Sequence, residues 1–213
     1  MNDALGSGLA GRGLECVRGE RTVFSGLDFA VPPGGALVLR GPNGSGKSSL
    51  LRLIAGLLEP AAGTIAWNGE PVDDDAEAHH ARLRYVGHLD AVKPAFTAAE
   101  NLEFWMRLGG GGGGRAAVAR ALDRLGIGGL AEVPAGLLSA GQRRRLALAR
   151  LAAIATRLWL LDEPTVALDE DAANSLLSLV AEHRAGGGTV IVATHQPLAL
   201  DGTEILRLGE PPG

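Results

Sequence analysis

Residues 41–49 read Gly-Pro-Asn-Gly-Ser-Gly-Lys-Ser-Ser, and this stretch decides the fold. It matches the phosphate-loop pattern G-x-x-x-x-G-K-[ST] in full. The preceding Ala36-Leu37-Val38-Leu39-Arg40 is short and apolar, which predicts a buried strand. The following residues 48–58 carry apolar side chains at helical spacing. Strand, glycine loop and helix form the context in which the pattern has chemical meaning. Gly41, Gly44 and Gly46 have no Cβ, so the backbone can curl and bring its N–H groups onto phosphate oxygens. The helix starting near Lys47 adds the positive end of its dipole. Lys47 brings an ammonium for the β- and γ-phosphates, and the Ser48 hydroxyl can ligate Mg²⁺. With Pro42, Asn43, Ser45 and Ser49 the loop forms a cradle for a nucleoside triphosphate, without saying which one.

Further along, Leu158-Trp159-Leu160-Leu161-Asp162-Glu163 is an apolar run ending in two carboxylates. It predicts a buried parallel strand with its acids at the carboxyl end, where α/β sheets place ligands. Asp162 is placed to hold Mg²⁺, and Glu163 to polarise an attacking water. A third buried strand, residues 189–194, delivers His195 at its carboxyl end. Ser139 N-caps a helix over residues 143–155, which leaves an ordinary cap and a second anion site both open. Thr97-Ala98-Ala99-Glu100 is a capping box that starts a helix running to about Leu108. A further helix covers 115–125.

Other segments carry less chemistry. Residues 1–12 read as loose, and 14–17 and 23–31 as strands. Residues 64–69 read as a hairpin. The acidic run 73–80, with His79 and His80, reads as an exposed loop rather than a metal site. Six consecutive glycines, 109–114, read as a flexible connector.

The chain has 213 residues, enough for one large core, and a formal net charge of −4, which disfavours a general nucleic-acid binder. No apolar run is long enough to span a membrane. The first residues show no secretory signal. One cysteine, Cys16, excludes an internal disulfide and fits a reducing compartment.

Taken together, the motifs resemble the nucleotide-binding subunit of ATP-binding-cassette (ABC) transporters. Residues 41–49 match the phosphate loop, Leu138-Ser139-Ala140-Gly141-Gln142 the family signature, Leu158–Glu163 the acidic strand, Ala167-Leu168-Asp169 the D-loop and His195 the switch histidine. Within that family the chain looks most like the ATPase subunit of the cytochrome c maturation (haem exporter) complex. The stretches 20–27, 85–93, 99–102 and 194–198 carry this finer likeness.

The resemblance implies an α/β fold: a P-loop NTPase (ABC ATPase) core with an N-terminal antiparallel β portion and an inserted helical subdomain. Residues 1–213 would form one domain, with core 1–87 and 150–213 and helical subdomain 88–149. It implies ATP and Mg²⁺ as ligands, with Glu163, His195 and Lys47 in catalysis. It also implies a head-to-tail dimer, in which Ser139, Gly141, Gln142 and Asp169 serve the neighbour's nucleotide. Integral membrane permease subunits would be the partners, at the cytoplasmic face of the inner membrane, with no nucleic acid. A different cargo, or a soluble cassette ATPase acting on nucleic acid or ribosomes, stays as an alternative.

Two positions depart from the family pattern. The aromatic residue that usually stacks on adenine is Arg18, whose guanidinium can stack on a π-face at roughly 0.5–2 kcal/mol. The glutamine that usually senses Mg²⁺ and the attacking water is His88, which could do part of this work and bring pH sensitivity. A haem ligand or a plain structural residue are its other readings.

Overall fold

The structure is a computed structural model that describes residues 7–110, 114–196, 198 and 200–209. Residues 1–6 of the N-terminal stretch, 111–113 of the glycine run and Pro197 lie outside them. The chain divides into two compact units. Among the described residues, one falls within Met1–Tyr85, Arg157–Glu163 and His183–Gly213, the other within Val86–Thr156 and Pro164–Glu182.

The first unit holds two sheets. Strands β1 (Leu9–Arg18), β2 (Arg21–Val31), β4 (Ala62–Trp67) and β5 (Glu70–Pro71) form an antiparallel sheet in the order β2-β1-β4-β5. Strands β3 (Ala36–Arg40), β6 (Leu83–Val86), β7 (Leu158–Asp162), β8 (Thr189–Ala193) and β9 (Thr203–Arg207) form the second, in the order β6-β7-β8-β3-β9. In it β3 pairs in parallel with both β8 and β9, and β7 in parallel with β8. β7 and β8 are buried at every position, as their unbroken apolar runs require.

Helix α1 (Lys47–Ile54) contributes Leu50, Leu51, Leu53 and Ile54 to one core with Leu37, Leu39, Leu160 and Ile191 from the parallel sheet and Leu9, Leu14 and Ile65 from the antiparallel one. Each such side chain stabilises the fold by about 1.5–3 kcal/mol on burial. This core fixes where β3 ends and α1 begins, and so fixes the loop between them.

In the second unit α3 (Ala98–Leu108), α4 (Gly114–Arg124) and α5 (Ala140–Ala153) pack together. Leu102, Met106, Val118, Leu122 and Leu146 are all buried. Helix α6 (Glu170–Ala185) starts there as well. No described helix is long and apolar enough to cross a membrane.

Three expectations are corrected. The loose stretch gives way to β1 at Leu9, because Leu9 to Gly11 pair with both β2 and β4. The acidic run 73–80 is exposed at most positions, as expected, but from Ala76 it is helix rather than loop. Asp75 accepts from Ala78 N–H at 2.9 Å and caps α2 (Ala76–Arg82), and His79 is buried with Nε2 2.7 Å from Ile54 O. Strand β9, a mixed polar and apolar segment, joins the sheet edge beside β3 where the sequence announced nothing.

Candidate active site

β3 delivers the chain to Gly41, whose φ of 147° is closed to other residues. A Cβ there would stand 2.3 Å from Leu208 O and 2.7 Å from Ser45 Oγ. Gly44 and Gly46 also take positive φ, and Gly46 precedes α1 with no side-chain cap. The first-turn N–H groups of α1 therefore face outward from the loop without a capping side chain.

Lys47 is buried, and its Nζ donates to Gly41 O at 2.7 Å and Pro42 O at 3.0 Å, under the arch of the loop. Ser45 is buried as well, and its Oγ has no hydrogen-bond partner. A hydroxyl stranded in this way is costly unless a polar ligand completes it, and a phosphate oxygen has the right chemistry. Pro42, Asn43 and Gly44 form the exposed crest. The Ser49 hydroxyl is drawn instead to the Cys16 thiol, which burial pushes up and the Ser49 hydrogen bond pulls back.

Ser48 Oγ donates to Asp162 Oδ1 at 3.1 Å, and Asp162 is buried at the end of β7. Two hard oxygen donors in contact beside a phosphate loop are a ligand set that fits Mg²⁺. The neighbourhood includes a residue to which the sequence gave no role. Burial first, then the Asp162 carboxylate, push the Tyr85 phenol up, while a hydrogen bond from Arg52 opposes them. A tyrosine one residue from the end of β6, next to the acidic strand, was the available signal.

Glu163 follows at φ 47°, a strained conformation for a glutamate. Its N–H donates to Ala193 O at 2.8 Å, which locks the turn to the end of β8. Oε1 stands 3.0 Å from His195 Nδ1, and Oε2 accepts from His195 N–H at 3.3 Å. The carboxylate is 14% exposed and the imidazole 55%, so the pair is held on one side and open on the other. Phosphate cradle, metal-type oxygens, carboxylate and histidine thus come together in one unit. Arg18 ends β1 exposed, opposite Arg21, on the hairpin whose Val23 packs against Gly46.

The other candidates belong to the second unit. Ser139 caps α5 in a reciprocal box: its Oγ accepts from Gln142 N–H at 3.2 Å and Gln142 Oε1 accepts from Ser139 N–H at 2.8 Å. The Ser139 hydroxyl keeps its own proton to donate, and the residue is exposed. A Cβ on Gly141 would meet Ala167 O at 2.7 Å, so only glycine permits this approach of the two segments. Asp169 pairs with Arg145, and its Oδ1 accepts from Ala172 N–H at 3.0 Å at the start of α6. His88 is exposed in the segment after β6.

Known proteins resemble this chain in sequence and in fold. The sequence profile described as ABC transporter matches residues 24–166. The cytochrome c biogenesis ATP-binding export protein CcmA of Rhodospirillum rubrum is 55% identical over 199 residues, 93% of this chain and 84% of that protein. The protein of the same name from Paramagnetospirillum magneticum is 54% identical over 206 residues, 96% of this chain and 95% of the relative. Among solved structures, a putative ABC transporter ATP-binding protein from Pyrococcus furiosus superposes with a TM-score of 0.82 at 26% identity, covering 94% of this chain and 96% of that one. A dimeric post-hydrolysis ATP-binding cassette bound to ADP and Pi gives a TM-score of 0.82 at 25% identity, covering 94% of both chains. The chain belongs to the ABC transporter family, alongside the ATP-binding export proteins of cytochrome c biogenesis.

Proposed function

We propose that the chain is the ATP-hydrolysing subunit of the haem exporter complex of c-type cytochrome biogenesis. The observation that carries this reading is the 54% identity to a cytochrome c biogenesis ATP-binding export protein across 96% of the chain. The phosphate cradle and the Glu163–His195 pair support the chemistry.

Residues 41–49 hold the triphosphate, with Lys47 against the β- and γ-phosphates. Ser48 and Asp162 would hold Mg²⁺, which would supply neutralising charge to the phosphates. His88 is a further candidate around that ion, and Arg18 stacks on the base. Glu163 orients a water for attack on the γ-phosphorus. The bond from that phosphorus to the bridging oxygen breaks, leaving ADP and phosphate. His195 fixes the Glu163 carboxylate from two sides and senses the γ-phosphate.

A second copy faces the first head to tail and completes the site with its Ser139, Gly141 and Gln142, steadied by its Asp169. The solved dimer of a related cassette with ADP and Pi supports this pairing. The partners are integral membrane permease subunits, and the chain works at the cytoplasmic face of the inner membrane. No nucleic acid takes part.

The test is a haem stain for c-type cytochromes in a deletion strain, rescued with wild type or Glu163→Gln. Loss of the cytochromes, restored only by wild type, is the expected result. Cytochromes that persist in the deletion strain remove the haem role.

A further inference from the structure

Arg144, in the second turn of α5, is 4% exposed. Its guanidinium makes contacts to separate segments of the second unit. Nη1 donates to Gly87 O at 2.8 Å and to Asp90 Oδ1 at 3.2 Å, and Nε donates to Pro164 O at 3.3 Å. The side chain of Asp90 is itself 25% exposed. Burying a cation is costly unless it is paired and its N–H groups are taken up. This one is paired, and its acceptors are drawn from two separate segments.

Those segments are informative. Gly87 and Asp90 bracket His88 in the stretch that leaves the end of β6. Pro164 is the residue after Glu163, in the stretch that leaves the end of β7. Arg144 itself lies five residues beyond Ser139, on the helix that Ser139 caps. One planar fork therefore ties the helix serving a neighbour's nucleotide to the two segments that carry His88 and Glu163.

We propose that Arg144 is a positioning residue for hydrolysis: it sets the Glu163 turn and the His88 segment according to the position of the Ser139 helix. Engagement of Ser139 by a neighbouring copy's nucleotide moves α5, and α5 carries both segments with it. The guanidinium suits this because its N–H directions are fixed, whereas a lysine ammonium cannot meet the same acceptors from one plane. The inference rests on the ATPase reading above.

The test uses the complex as it purifies from cells, with wild type, Arg144→Lys, Asp90→Ala and the double variant. Three quantities are read: melting temperature, affinity for a fluorescent ATP analogue, and turnover at saturating ATP per folded molecule. Arg144→Lys should keep nucleotide affinity within about twofold and lose about tenfold or more in turnover, as small misplacements of reacting groups do. Asp90→Ala should lower turnover in the same direction. The double variant should be no slower than Arg144→Lys, because both changes break one linkage.

Turnover within about twofold of wild type in folded Arg144→Lys overturns the proposal. So does a loss that merely tracks melting temperature or nucleotide affinity, since a simple staple of the fold would act that way. Should Arg144→Lys not fold, Asp90→Ala decides by the same criteria. A wild-type complex that hydrolyses no ATP removes the ATPase reading itself, which is a different outcome.

Discussion

Glu163 and His195 grip each other at two points: Oε1 lies 3.0 Å from Nδ1, and Oε2 accepts from the His195 backbone N–H at 3.3 Å. A carboxylate held at both oxygens has a defined direction, and its residue is further fixed by the N–H bond to Ala193 O. Glu163→Gln keeps the size and one accepting oxygen but replaces the other with an amide NH₂ that cannot accept, which removes the basic group. It should bind Mg-ATP normally and turn over about 10²–10⁴-fold more slowly, as for loss of a positioned base. Nucleotide titration and single-turnover hydrolysis check this, and near-normal turnover would take Glu163 out of the role.

Lys47 donates to Gly41 O and Pro42 O from a buried position. Its ammonium stabilises the loop and, in the role proposed for it, would face the bound phosphates. Lys47→Ala should therefore lose nucleotide binding at the loop and, with two loop carbonyls left without this donor, also melt somewhat lower. An unchanged affinity in that titration contradicts the assignment.

Gly141 lies in the first turn of α5, where alanine is ordinarily preferred by about 1 kcal/mol. Here a Cβ would sit 2.7 Å from Ala167 O, a backbone atom in a segment already at φ 65°. Gly141→Ala should give no gain in stability, leave binding by the phosphate loop intact and reduce turnover, because the 165–169 segment must shift. A variant that melts higher and hydrolyses normally would show that the approach is loose.

The parts legible in the sequence are those governed by local rules. The phosphate loop needs only its own glycines, and the box at Thr97 closes within three residues and formed as read, while Ser139, read as a plain cap, closes a reciprocal box with Gln142 and starts its helix at Ala140. Helix α2 was missed because seven residues make a marginal helix alone. What holds it is His79 bonded to Ile54 O, 25 residues away. The contacts of Arg144 were equally hidden, since its acceptors Gly87 and Asp90 lie 57 and 54 residues distant. Strand β9 depends on β3, far earlier in the chain, and its own residues alternate too weakly to announce it.

His183 stacks on Trp159 with centroids 3.9 Å apart and planes within 6°. Burial pushes its imidazole down, and burial does the same to His79. Both are therefore neutral in the fold, while the unfolded chain protonates them near pH 6.5. Their contribution is complete above that pH and is lost as pH falls from 6.5 toward the lowered folded values. The slope is at most about 1.4 kcal/mol per pH unit for each histidine. Urea unfolding at pH 7.5, 6.0 and 5.0 should show falling midpoints, and His183→Phe, which keeps a flat ring on Trp159, should flatten the dependence. An identical slope in that variant would discount His183.

Asn101 is 1% exposed on α3 and organises the turn before it. Its Nδ2 donates to Lys93 O and Thr97 O at 3.0 Å and to Phe96 O at 3.3 Å, and its Oδ1 accepts from Lys93 N–H at 2.8 Å. Asn101→Ala leaves the Lys93 N–H unpaired and strips a second donor from three carbonyls that keep a backbone one, and should cost about 1–3 kcal/mol. Asn101→Asp should cost more, although it is closer in shape. It preserves the oxygen that accepts from Lys93 N–H, but it sets a carboxylate against three carbonyl oxygens with no proton to share. Raising the acidity should narrow the gap, because a protonated carboxyl regains one donor. Urea midpoints of the two variants at neutral and mildly acidic pH measure the order, and an alanine variant less stable than the aspartate one would place the value of Asn101 in its shape rather than in its donors.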